Sequence, residues 1–360
     1  MKIGVIGGGQ LGMMMGQAAI SKNHNIYSLD PSSDCPIIKY SSKHYQCELN
    51  DKRCIEDMCS NVDVVTYEFE NINYNIISEL EKKYDIFPAS NLLYYSQNRY
   101  REKSFVTDLS IPTTKYNIIR SEQDLIECFK GNKCILKTVS GGYDSKGQVL
   151  IKDKLCNDSL ELASKYECIL EEFIEYDYET SIIATRSRGG DIVYFPLVIN
   201  THKKGILFST YASKVIDNNL DNQARKYVKL IADKLNVCGT IALEFFVKND
   251  RLIFNEMAPR PHNSGHHTIE SCNVSQYDNH VNAITNKPLV TPNLLYYSLM
   301  YNIIGSEIYS NFEKYDGVFH NYGKTEVKSG RKMGHITFVA NCKEKLEKKT
   351  KEYLEGIYGI

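Results

Sequence analysis

Apolar and polar residues alternate in short blocks along residues 1–90. Four apolar runs have the length and composition of buried strands, at 2–6, 25–29, 63–67 and 84–87. The segments between them have helical spacing, and Phe87-Pro88-Ala89-Ser90-Asn91 closes the region with turn-forming residues. A helix is predicted from about 92 to 108, and it ends before Pro112 because proline disfavours helical geometry in the preceding residue. This pattern predicts a small parallel α/β domain.

The middle of the chain changes to a pattern rich in β-strands. Strands are predicted at 134–139, 147–152, 168–175, 179–185 and 192–199. A helix at 218–235 and a hairpin at 240–257 follow. We therefore expect three unequal parts: an α/β lobe at 1–90, a mixed α+β domain at 91–290, and a small C-terminal segment at 291–360.

Composition narrows the class of protein. The formal net charge of −1 predicts no binding to nucleic acid and none to an anionic membrane surface. No apolar run has the length of a membrane span, and the N-terminus lacks the layout of a signal peptide. The 11 cysteines form no C-x-x-C pair, and their odd number argues against a disulfide framework. We expect a cytoplasmic protein whose partners are small molecules.

The first candidate site is a glycine loop. Gly7 to Gly12 satisfies the pattern G-x-G-x-x-G after a predicted strand, and a second predicted strand ends at Asp30. A dinucleotide-binding fold places its pyrophosphate and its ribose-binding acid at these positions. A nicotinamide-dependent oxidoreductase is therefore one hypothesis, although it leaves the motifs below unexplained.

A second glycine loop follows Lys137. The strand 134–138 ends near this lysine, and residues 139–148 read Val-Ser-Gly-Gly-Tyr-Asp-Ser-Lys-Gly-Gln before a returning strand. Backbone N–H groups of such a loop can approach a phosphate closely where Cβ atoms are absent. The ending G-K-[ST] and the following helix of a Walker loop are both missing. The pattern indicates a different kind of phosphate-binding hairpin.

Two acidic residues lie within apolar strands of the hairpin at 240–257. Glu244 belongs to one strand and Glu256 to the other, and an unpaired buried charge is costly. Carboxylates that face each other across a hairpin suit Mg²⁺, which shares their oxygens with substrate phosphates. A two-residue turn at Asn249-Asp250 would by itself set Glu244 opposite Asn255. An odd-numbered loop or a bulge puts both carboxylates on one face, and we expect that arrangement.

The loop after the hairpin concentrates polar residues. It reads APRPHNSGHHTIE over 258–270. His262 and His266 have the i, i+4 spacing of zinc ligands, but Gly265 and Pro261 oppose a continuous helix. Binding of an anionic substrate is the better interpretation, because Arg260 and its neighbours offer donors.

Taken together, these motifs resemble the N5-carboxyaminoimidazole ribonucleotide synthetases, which are ATP-grasp ligases of purine biosynthesis. The resemblance runs nearly end to end, from GGGQLG through TYEFEN at 66–71 and SGGYDSKGQ at 140–148 to NEMAPRPHNSGHHTIE at 255–270 and YGKTEVKSGRKMGH at 322–335. One departure is Ser145, where the family's loop usually carries glycine. The implied fold is an ATP-grasp fold with a Rossmann-like lobe before it that does not bind NAD.

The resemblance also implies roles for the matching positions. Residues implied to bind ATP are Arg99, Lys137, Gly142, Tyr143, Asp144, Ser145, Lys146, Gly147, Gln148, Glu171, Glu172, Phe173, Ile174, Glu179, His202, Asn255 and Glu256. Residues implied to bind the ribonucleotide are Gln10, Leu11, Glu68, Tyr143, Asp144, His262, Lys324 and Arg331. Glu244 and Glu256 are implied to hold Mg²⁺, and Asp144, Arg260 and His262 are the candidate catalytic residues.

The implied reaction joins bicarbonate to the amine of 5-aminoimidazole ribonucleotide, with ATP activating bicarbonate as carboxyphosphate. The products are N5-carboxyaminoimidazole ribonucleotide, ADP and phosphate. Whether Asp144, His262 or phosphate itself takes the amine proton stays open, as does release of CO₂ from the intermediate. The family further suggests a homodimer. The alternatives are a sister ATP-grasp ligase with another acceptor, a silent ATP-binding module, and the oxidoreductase above.

Overall fold

The amino-terminal lobe is built on a parallel sheet of four strands. In this computed structural model, which describes residues 1–141, 147–214 and 217–359, the strand order is β3-β2-β1-β4. The strands are β1 (Lys2–Ile6), β2 (Asn25–Leu29), β3 (Ser41–Tyr45) and β4 (Val64–Tyr67). The helices are α1 (Gln10–Ser21), α2 (Lys52–Asn61), α3 (Tyr74–Leu80), α4 (Ser90–Ser96) and α5 (Arg99–Asp108). The predicted parallel α/β lobe is confirmed.

Three local predictions in this lobe were wrong. β3 was not predicted, because its sequence SSKHY has no apolar alternation and it is an edge strand. Among the described residues, the run at 84–87 makes a single bridge, between Val65 and Ile86. The helix at 92–108 is two helices, since the Asn98 side chain accepts from the Arg101 N–H at 3.0 Å and starts α5 anew.

A second, antiparallel sheet has the order β5-β8-β6-β7. Its strands are β5 (Tyr116–Ile119), β6 (Cys134–Thr138), β7 (Gln148–Ile151) and β8 (Cys168–Glu172), and its helices are α6 (Glu122–Cys128) and α7 (Asn157–Lys165). The hairpin predicted around the second glycine loop is therefore present as β6 and β7. The strand predicted at 168–175 ends earlier, at Glu172.

The third sheet is antiparallel and has nine strands among the residues that the structure describes. Its strands are β9 (Tyr178–Arg186), β10 (Ile192–Tyr194), β11 (Val198–Lys203), β12 (Ile206–Ala212), β13 (Gly239–Lys248), β14 (Arg251–Ala258), β15 (Tyr297–Ile304), β16 (Val318–Asn321) and β17 (Lys332–Ala340). The helices of this part are α8 (Asn218–Lys234), α9 (Thr268–Ser271), α10 (Gln276–Ile284) and α11 (Lys343–Tyr358). Pro196 lies in the predicted strand 192–199, which is divided into β10 and β11.

Packing joins these parts into one frame for the site. The largest core lies where α8 covers β9, β13 and β14. The amino-terminal lobe packs through α1 against α10, where Met14 and Val281 belong to one apolar cluster. β15 pairs with β12, so the C-terminal segment extends the sheet of the middle region. The boundaries at 90 and 290 stay predictions.

One disulfide joins Cys47 to Cys54 near the start of α2. The sequence predicted no disulfide framework, and the remaining cysteines are free. Cys134 and Cys238, for example, are buried among apolar residues. Burial raises the pKa of the Cys238 thiol to about 12, so this side chain behaves as a small apolar residue.

Candidate active site

The hairpin of β13 and β14 brings the two predicted carboxylates face to face. Its turn has two residues, Asn249 and Asp250, with φ of 50° and 56°. Lys248 therefore pairs with Arg251. A bulge between Glu244 and Phe245 then shifts the register by one residue, and Glu244 pairs with Glu256. The expected arrangement is confirmed, and Asn255 lies partly exposed at the bulge.

The two carboxylates repel each other and differ in burial, because Glu244 is buried whereas 44% of the Glu256 side chain is exposed. Burial and then the charge of Glu256 raise the pKa of Glu244 to about 7. Arg99 Nη1 lies 3.3 Å from Glu256 Oε2, and His262 Nε2 lies 3.3 Å from Glu244 Oε1. Two opposed carboxylates form an oxygen-rich position that suits a divalent cation.

Lys137 belongs to a buried charge cluster beside the hairpin. Its Nζ lies 3.1 Å from Glu171 Oε2, and Lys103 Nζ lies 3.4 Å from the same oxygen. Burial alone would raise the pKa of Glu171, but the charges of Lys137 and Lys103 outweigh it and lower that pKa to about 2. Glu171 is thus a stable anion that fixes the position of both lysines.

Sequence reasoning missed two acidic or basic residues of α5. Lys103 donates to Thr114 Oγ1 at 2.9 Å, and only 1% of its surface is exposed. Glu102 accepts from the Met257 N–H at 2.7 Å, next to Glu256. Burial and the charge of Glu256 raise the pKa of Glu102 to about 8. The only signal in the sequence was the charged stretch RYREK, which is equally typical of a solvated helix face.

The strand end at 171–174 and the pair Glu179–His202 line the junction of the two antiparallel sheets. Glu172 is exposed, Phe173 and Ile174 are half-buried, and Lys133 Nζ lies 3.5 Å from the centroid of the Phe173 ring. Glu179 contacts His202 Nδ1 and accepts from the Tyr176 hydroxyl at 2.5 Å.

The pair of Glu179 and His202 is electrostatically matched. Burial opposes the shift, but the contact with Glu179 and the charge of Glu244 raise the pKa of His202. Burial likewise raises the pKa of Glu179, and the contact with His202 outweighs it and lowers that pKa. Glu179 is therefore held as an acceptor at the edge of the site.

The second glycine loop is described only at its ends. Gly147 has φ of 70°, and a Cβ there would lie 2.7 Å from Thr138 Oγ1, so glycine is needed where the loop rejoins β7. Gln148 pairs with Lys137 across the hairpin. Gly142, Tyr143, Asp144, Ser145 and Lys146 lie outside the described residues.

The amino-terminal glycine loop is filled by carboxylates of this chain. Glu68 accepts from the Gly9 N–H at 2.5 Å and from the Gly12 N–H at 2.7 Å. Asp30 accepts from the Gly8 N–H at 2.7 Å. A dinucleotide fold uses such N–H groups for a pyrophosphate, and a second anion cannot occupy them together with Glu68. This geometry disfavours the oxidoreductase hypothesis.

Gln10 and Leu11 follow this loop at the start of α1. Gln10 is half-buried, whereas Leu11 is buried in the core shared with α10. Burial raises the pKa of Glu68, and the two N–H groups and the charge of Lys324 partly offset that effect. The glycine loop and the C-terminal basic turn therefore face one another.

The loop after β14 supplies Arg260 and His262. Arg260 donates from Nε to Glu70 Oε2, so Glu70 of the TYEFEN stretch is a further residue that sequence reasoning missed. Burial would raise the pKa of Glu70, but Arg260 outweighs it and lowers that pKa. Burial, then the charges of Arg260 and Lys332, hold the pKa of His262 well below its usual range.

The C-terminal basic turn lies against the amino-terminal lobe. Lys324 donates to the Lys332 carbonyl at 2.7 Å, and Arg331 donates to the Glu326 carbonyl at 2.8 Å. Thr325 donates to Asp34 Oδ2 at 2.8 Å. The charge of Lys332 acts on Glu70, Glu244 and His262, which makes Lys332 another site residue not singled out from the sequence.

His266 does not join His262 in a zinc site. Its ring stacks on His335 at 4.7 Å, and its Nδ1 is 2.6 Å from the Tyr277 hydroxyl. Among the described residues, Glu270, His320 and His335 bring metal-ligating atoms within 4.8 Å of one another. The rings of His320 and His335 are stacked with 13° between their planes, so their nitrogens do not converge on one point.

None of the helices among the described residues combines the length and the hydrophobicity that a membrane span requires.

Comparisons with known proteins cover the chain in three consecutive pieces. The family model of the ribonucleotide synthetase preATP-grasp domain matches residues 1–97, that of the ATP-grasp domain matches residues 104–277, and that of the phosphoribosylaminoimidazole carboxylase C-terminal domain matches residues 298–349. A curated relative, N5-carboxyaminoimidazole ribonucleotide synthase of Bacillus subtilis, is 35% identical over 345 residues, which is 94% of this chain and 91% of that protein.

Solved structures agree with the sequence comparison. The crystal structure of N5-carboxyaminoimidazole synthetase from Staphylococcus aureus complexed with ADP has a TM-score of 0.93 at 34% identity and covers 98% of this chain and 96% of that one. The enzyme from Thermus thermophilus has a TM-score of 0.91 at 33% identity, with 99% of each chain covered. The chain belongs to the N5-carboxyaminoimidazole ribonucleotide synthase family of ATP-dependent ATP-grasp ligases.

Proposed function

We propose that this protein carboxylates the exocyclic amine of 5-aminoimidazole ribonucleotide with bicarbonate, at the expense of ATP. The observation that carries the proposal is the opposed pair Glu244 and Glu256, which has the Lys137–Glu171 cluster on one side and His262 on the other. Arg99 lies between these two groups: burial opposes the shift, but the charges of Glu256 and Glu171 help to raise the pKa of its guanidinium. A nucleotide phosphate and a second anion can therefore meet over one pair of carboxylates.

The ATP subsite follows from the cluster around Lys137. We assign Arg99 and Lys137 to the phosphates, with the loop from Gly142 to Gln148 covering them; residues 142–146 lie outside the described residues. Residues 171–174 are assigned to the adenine at the sheet junction. Glu179, held as an acceptor by His202 and Tyr176, is assigned to the ribose hydroxyls. His202 thereby takes a supporting position beside the nucleotide.

The residues of the hairpin fit Mg²⁺. Burial and then the charge of Glu256 raise the pKa of Glu244, and a divalent cation bound to both carboxylates would favour their charged forms. Glu244 and Glu256 would hold the ion, with Asn255 beside them at the bulge. When bound, Mg²⁺ neutralises charge on the transferring phosphoryl group.

The ribonucleotide subsite lies between the amino-terminal lobe and the basic turn. Gln10, Leu11 and Glu68 form one side, and Lys324 and Arg331 form the other. A monophosphate is recognised by cationic donors, and Arg331 can supply a bidentate contact. Tyr143 and Asp144 are assigned to the same substrate and lie outside the described residues.

In this reaction the protein positions the substrates and neutralises the charge on the phosphoryl group, and no side chain acts as a nucleophile. Bicarbonate oxygen attacks the γ-phosphorus, the bond to the β–γ bridging oxygen breaks, and ADP leaves, which gives carboxyphosphate. Lys137 and Arg99 neutralise the charge that develops. Arg260 and His262 hold the bicarbonate-derived anion. The amine then takes the carboxyl group and phosphate leaves, while the amine proton passes to phosphate or to Asp144. Water must be excluded, because carboxyphosphate otherwise hydrolyses.

Release of ADP tests this function directly. It is measured with ATP and Mg²⁺, with and without bicarbonate and the ribonucleotide, while a parallel titration measures binding of NAD. We expect turnover only with all substrates, carboxylated product in step with ADP, and no binding of NAD. An equal rate of ADP release with and without the ribonucleotide contradicts the proposal. Tight binding of NAD without turnover also contradicts it.

Two further expectations belong to this proposal. We propose that residues 1–90, 91–290 and 291–360 act as the acceptor lobe, the ATP-binding domain and the segment that completes the acceptor site. We also propose a homodimer, following the family resemblance. Light scattering of the purified protein during gel filtration measures its mass in solution, and a mass near 41.2 kDa would contradict the dimer.

A further inference from the structure

We propose that a chain of buried hydroxyl and amide groups fixes His262 as the tautomer that carries its proton on Nε2. Ser264, Ser181 and Asn200 are then positioning residues that act through this imidazole. The inference deepens the proposed function and rests on it for the identity of the anion that His262 meets. It rests on hydrogen-bond geometry alone for the tautomer.

The hydrogen-bond chain that ends at His262 includes one donor whose direction is fixed, the backbone N–H of Ser264. The backbone N–H of Ser264 donates to His262 Nδ1 at 3.3 Å, and a backbone amide cannot accept in return. This contact favours a lone pair on Nδ1, but its length leaves the shorter hydroxyl contact to fix the tautomer. The Ser264 hydroxyl is 2.9 Å from the same nitrogen, and its proton completes the contact. The neutral ring consequently carries its single proton on Nε2.

The rest of the chain supplies donors in the same direction. Ser181 Oγ donates to Ser264 Oγ at 2.8 Å, so the Ser264 hydroxyl has its own proton left for Nδ1. Asn200 Nδ2 donates to Ser181 Oγ at 2.9 Å, and Thr210 Oγ1 donates to Asn200 Oδ1 at 3.0 Å. Each link therefore has one donor and one acceptor, without a clash of protons.

Burial holds the hydrogen-bonded side chains in place. Ser181, Ser264 and Thr210 have no exposed surface, and Asn200 exposes 4%. Reversing the chain would bring the Ser264 N–H against a second N–H in a place without water, which is costly. Gln276 adds to the restraint, because it accepts from the His262 N–H at 2.8 Å and donates to the His262 carbonyl at 2.6 Å.

This tautomer determines what the opposite nitrogen of the His262 ring, Nε2, can do. Nε2 lies 3.3 Å from Glu244 Oε1, so the proton of this tautomer faces the oxygen-rich centre of the site. His262 is thereby a hydrogen-bond donor to an anionic oxygen held there. It has no lone pair on Nε2 with which to bind a cation or to take the proton of the substrate amine. Among the candidates left open by the sequence, the geometry removes His262 as that base.

The test reads the tautomer by long-range ¹H–¹⁵N NMR of the whole protein with ¹⁵N-labelled histidine, without substrates. The signals of His262 are those absent from His262→Asn. We expect the downfield, unprotonated nitrogen to couple to Hε1 only, which identifies it as Nδ1. A downfield nitrogen that couples to both Hε1 and Hδ2 would be Nε2, and that spectrum overturns the proposal.

Variants then connect the tautomer to binding of bicarbonate. Ser264→Ala keeps the long N–H contact at 3.3 Å and removes the hydroxyl contact at 2.9 Å. The second tautomer should then become detectable, and the KM for bicarbonate should rise by about twofold to tenfold, the worth of one neutral hydrogen bond, with a smaller effect on kcat. Ser181→Ala should shift both readouts in the same direction and by less. Unchanged His262 signals and an unchanged KM in Ser264→Ala overturn the positioning role.

Thr185→Val is the matched control. It removes a buried hydroxyl from the same strand, where Thr185 Oγ1 contacts Thr240 Oγ1 at 2.9 Å, outside the chain to His262. Its His262 spectrum and KM should equal those of the unmodified protein. Equal shifts in this control would show a general loosening of the sheet and overturn the proposal. Because the spectrum needs no turnover, an inactive protein with the expected tautomer would contradict the proposed function alone.

Discussion

The amino-terminal glycine loop and the hairpin of β13 and β14 each bring two carboxylates together. The carboxylates in the loop are hydrogen-bonded to backbone N–H groups, whereas those in the hairpin face each other. In the glycine loop, Glu68 and Asp30 accept three backbone N–H bonds at 2.5 to 2.7 Å, so donors and acceptors are matched within the chain. In the hairpin, Glu244 and Glu256 face each other, with the Arg99 guanidinium and the neutral His262 ring as neighbours at 3.3 Å. The loop is closed to a further anion, whereas the hairpin remains suited to a cation.

This difference shows why a motif has to be judged by what fills it. The pattern G-x-G-x-x-G signals a ready anion site, but a carboxylate from the end of β4 occupies that site here. Two ordinary glutamates on a hairpin carry no named motif, yet one bulge makes them a pair. The following predictions break or sharpen this contrast, from the largest effect to the smallest.

Glu256→Gln should keep the fold and lose at least ~100-fold in turnover, because it removes one charge of the pair and preserves the shape. The measurement is the rate of ADP release, together with calorimetric titration of ADP with and without Mg²⁺. The Mg²⁺ dependence of ADP binding should disappear. Glu313→Gln, on an exposed residue, is the control and should behave as the unmodified protein. Near-normal turnover of Glu256→Gln at ordinary Mg²⁺ would refute the metal assignment.

Arg331→Ala should weaken the apparent affinity for aminoimidazole ribonucleotide by roughly tenfold to a thousandfold, on the order of 1.5–4 kcal/mol for a charge-assisted contact. The glycine loop cannot compensate, because its N–H groups are already bonded to Glu68 and Asp30. The KM values for the ribonucleotide and for ATP are compared. Lys328→Ala, on the same turn and paired with Glu326 at 2.8 Å, is the matched control. Loss of ATP affinity with normal ribonucleotide affinity would place the wrong substrate at this turn.

Lys137→Met should raise the KM for ATP by about tenfold to a hundredfold, since it removes a cation from the phosphates. The fold should persist, because Glu171 keeps Lys103 and Thr114, which donates to Glu171 at 3.1 Å. The KM for the ribonucleotide should change little. Lys154→Met, at an exposed lysine after β7, serves as the comparison. A parallel rise in both KM values would indicate collapse of the site instead.

Gly9→Ala should destabilise the amino-terminal lobe by about 1–3 kcal/mol, because it disturbs a buried carboxylate and its donors. A Cβ at Gly9 would lie 2.5 Å from Glu68 Oε1. The free energy of unfolding is measured in urea. Gly189→Ala is the control, since its nearest neighbour, Ser187 Oγ, is 3.7 Å away. Equal stability of the two variants would mean that Glu68 does not close the loop.

The sequence by itself determined the local elements and the chemistry that depends on residue type. The apolar runs located β1, β2 and β4, and the parallel α/β lobe around them. The turn at Asn249-Asp250 and the spacing of Glu244 and Glu256 were enough to require a bulge if the acids were to share a face, and the bulge is present. These conclusions succeed because periodicity and turn geometry are short-range properties of the chain.

Only the tertiary structure decided which groups satisfy one another over long distances. Glu68 accepts a hydrogen bond from the N–H of Gly9, which lies 59 residues away in the sequence. Glu102 accepts a hydrogen bond from the N–H of Met257, which lies 155 residues away. The buried Lys103 and the relay from Thr210 to His262 likewise depend on strands and helices that meet only in the folded chain. Burial decides whether a charged residue is a solvated side chain or a fixed part of a site. Because packing sets the burial of Glu102 and Lys103, whose own stretch RYREK is typical of a solvated helix face, the sequence pattern did not reveal it.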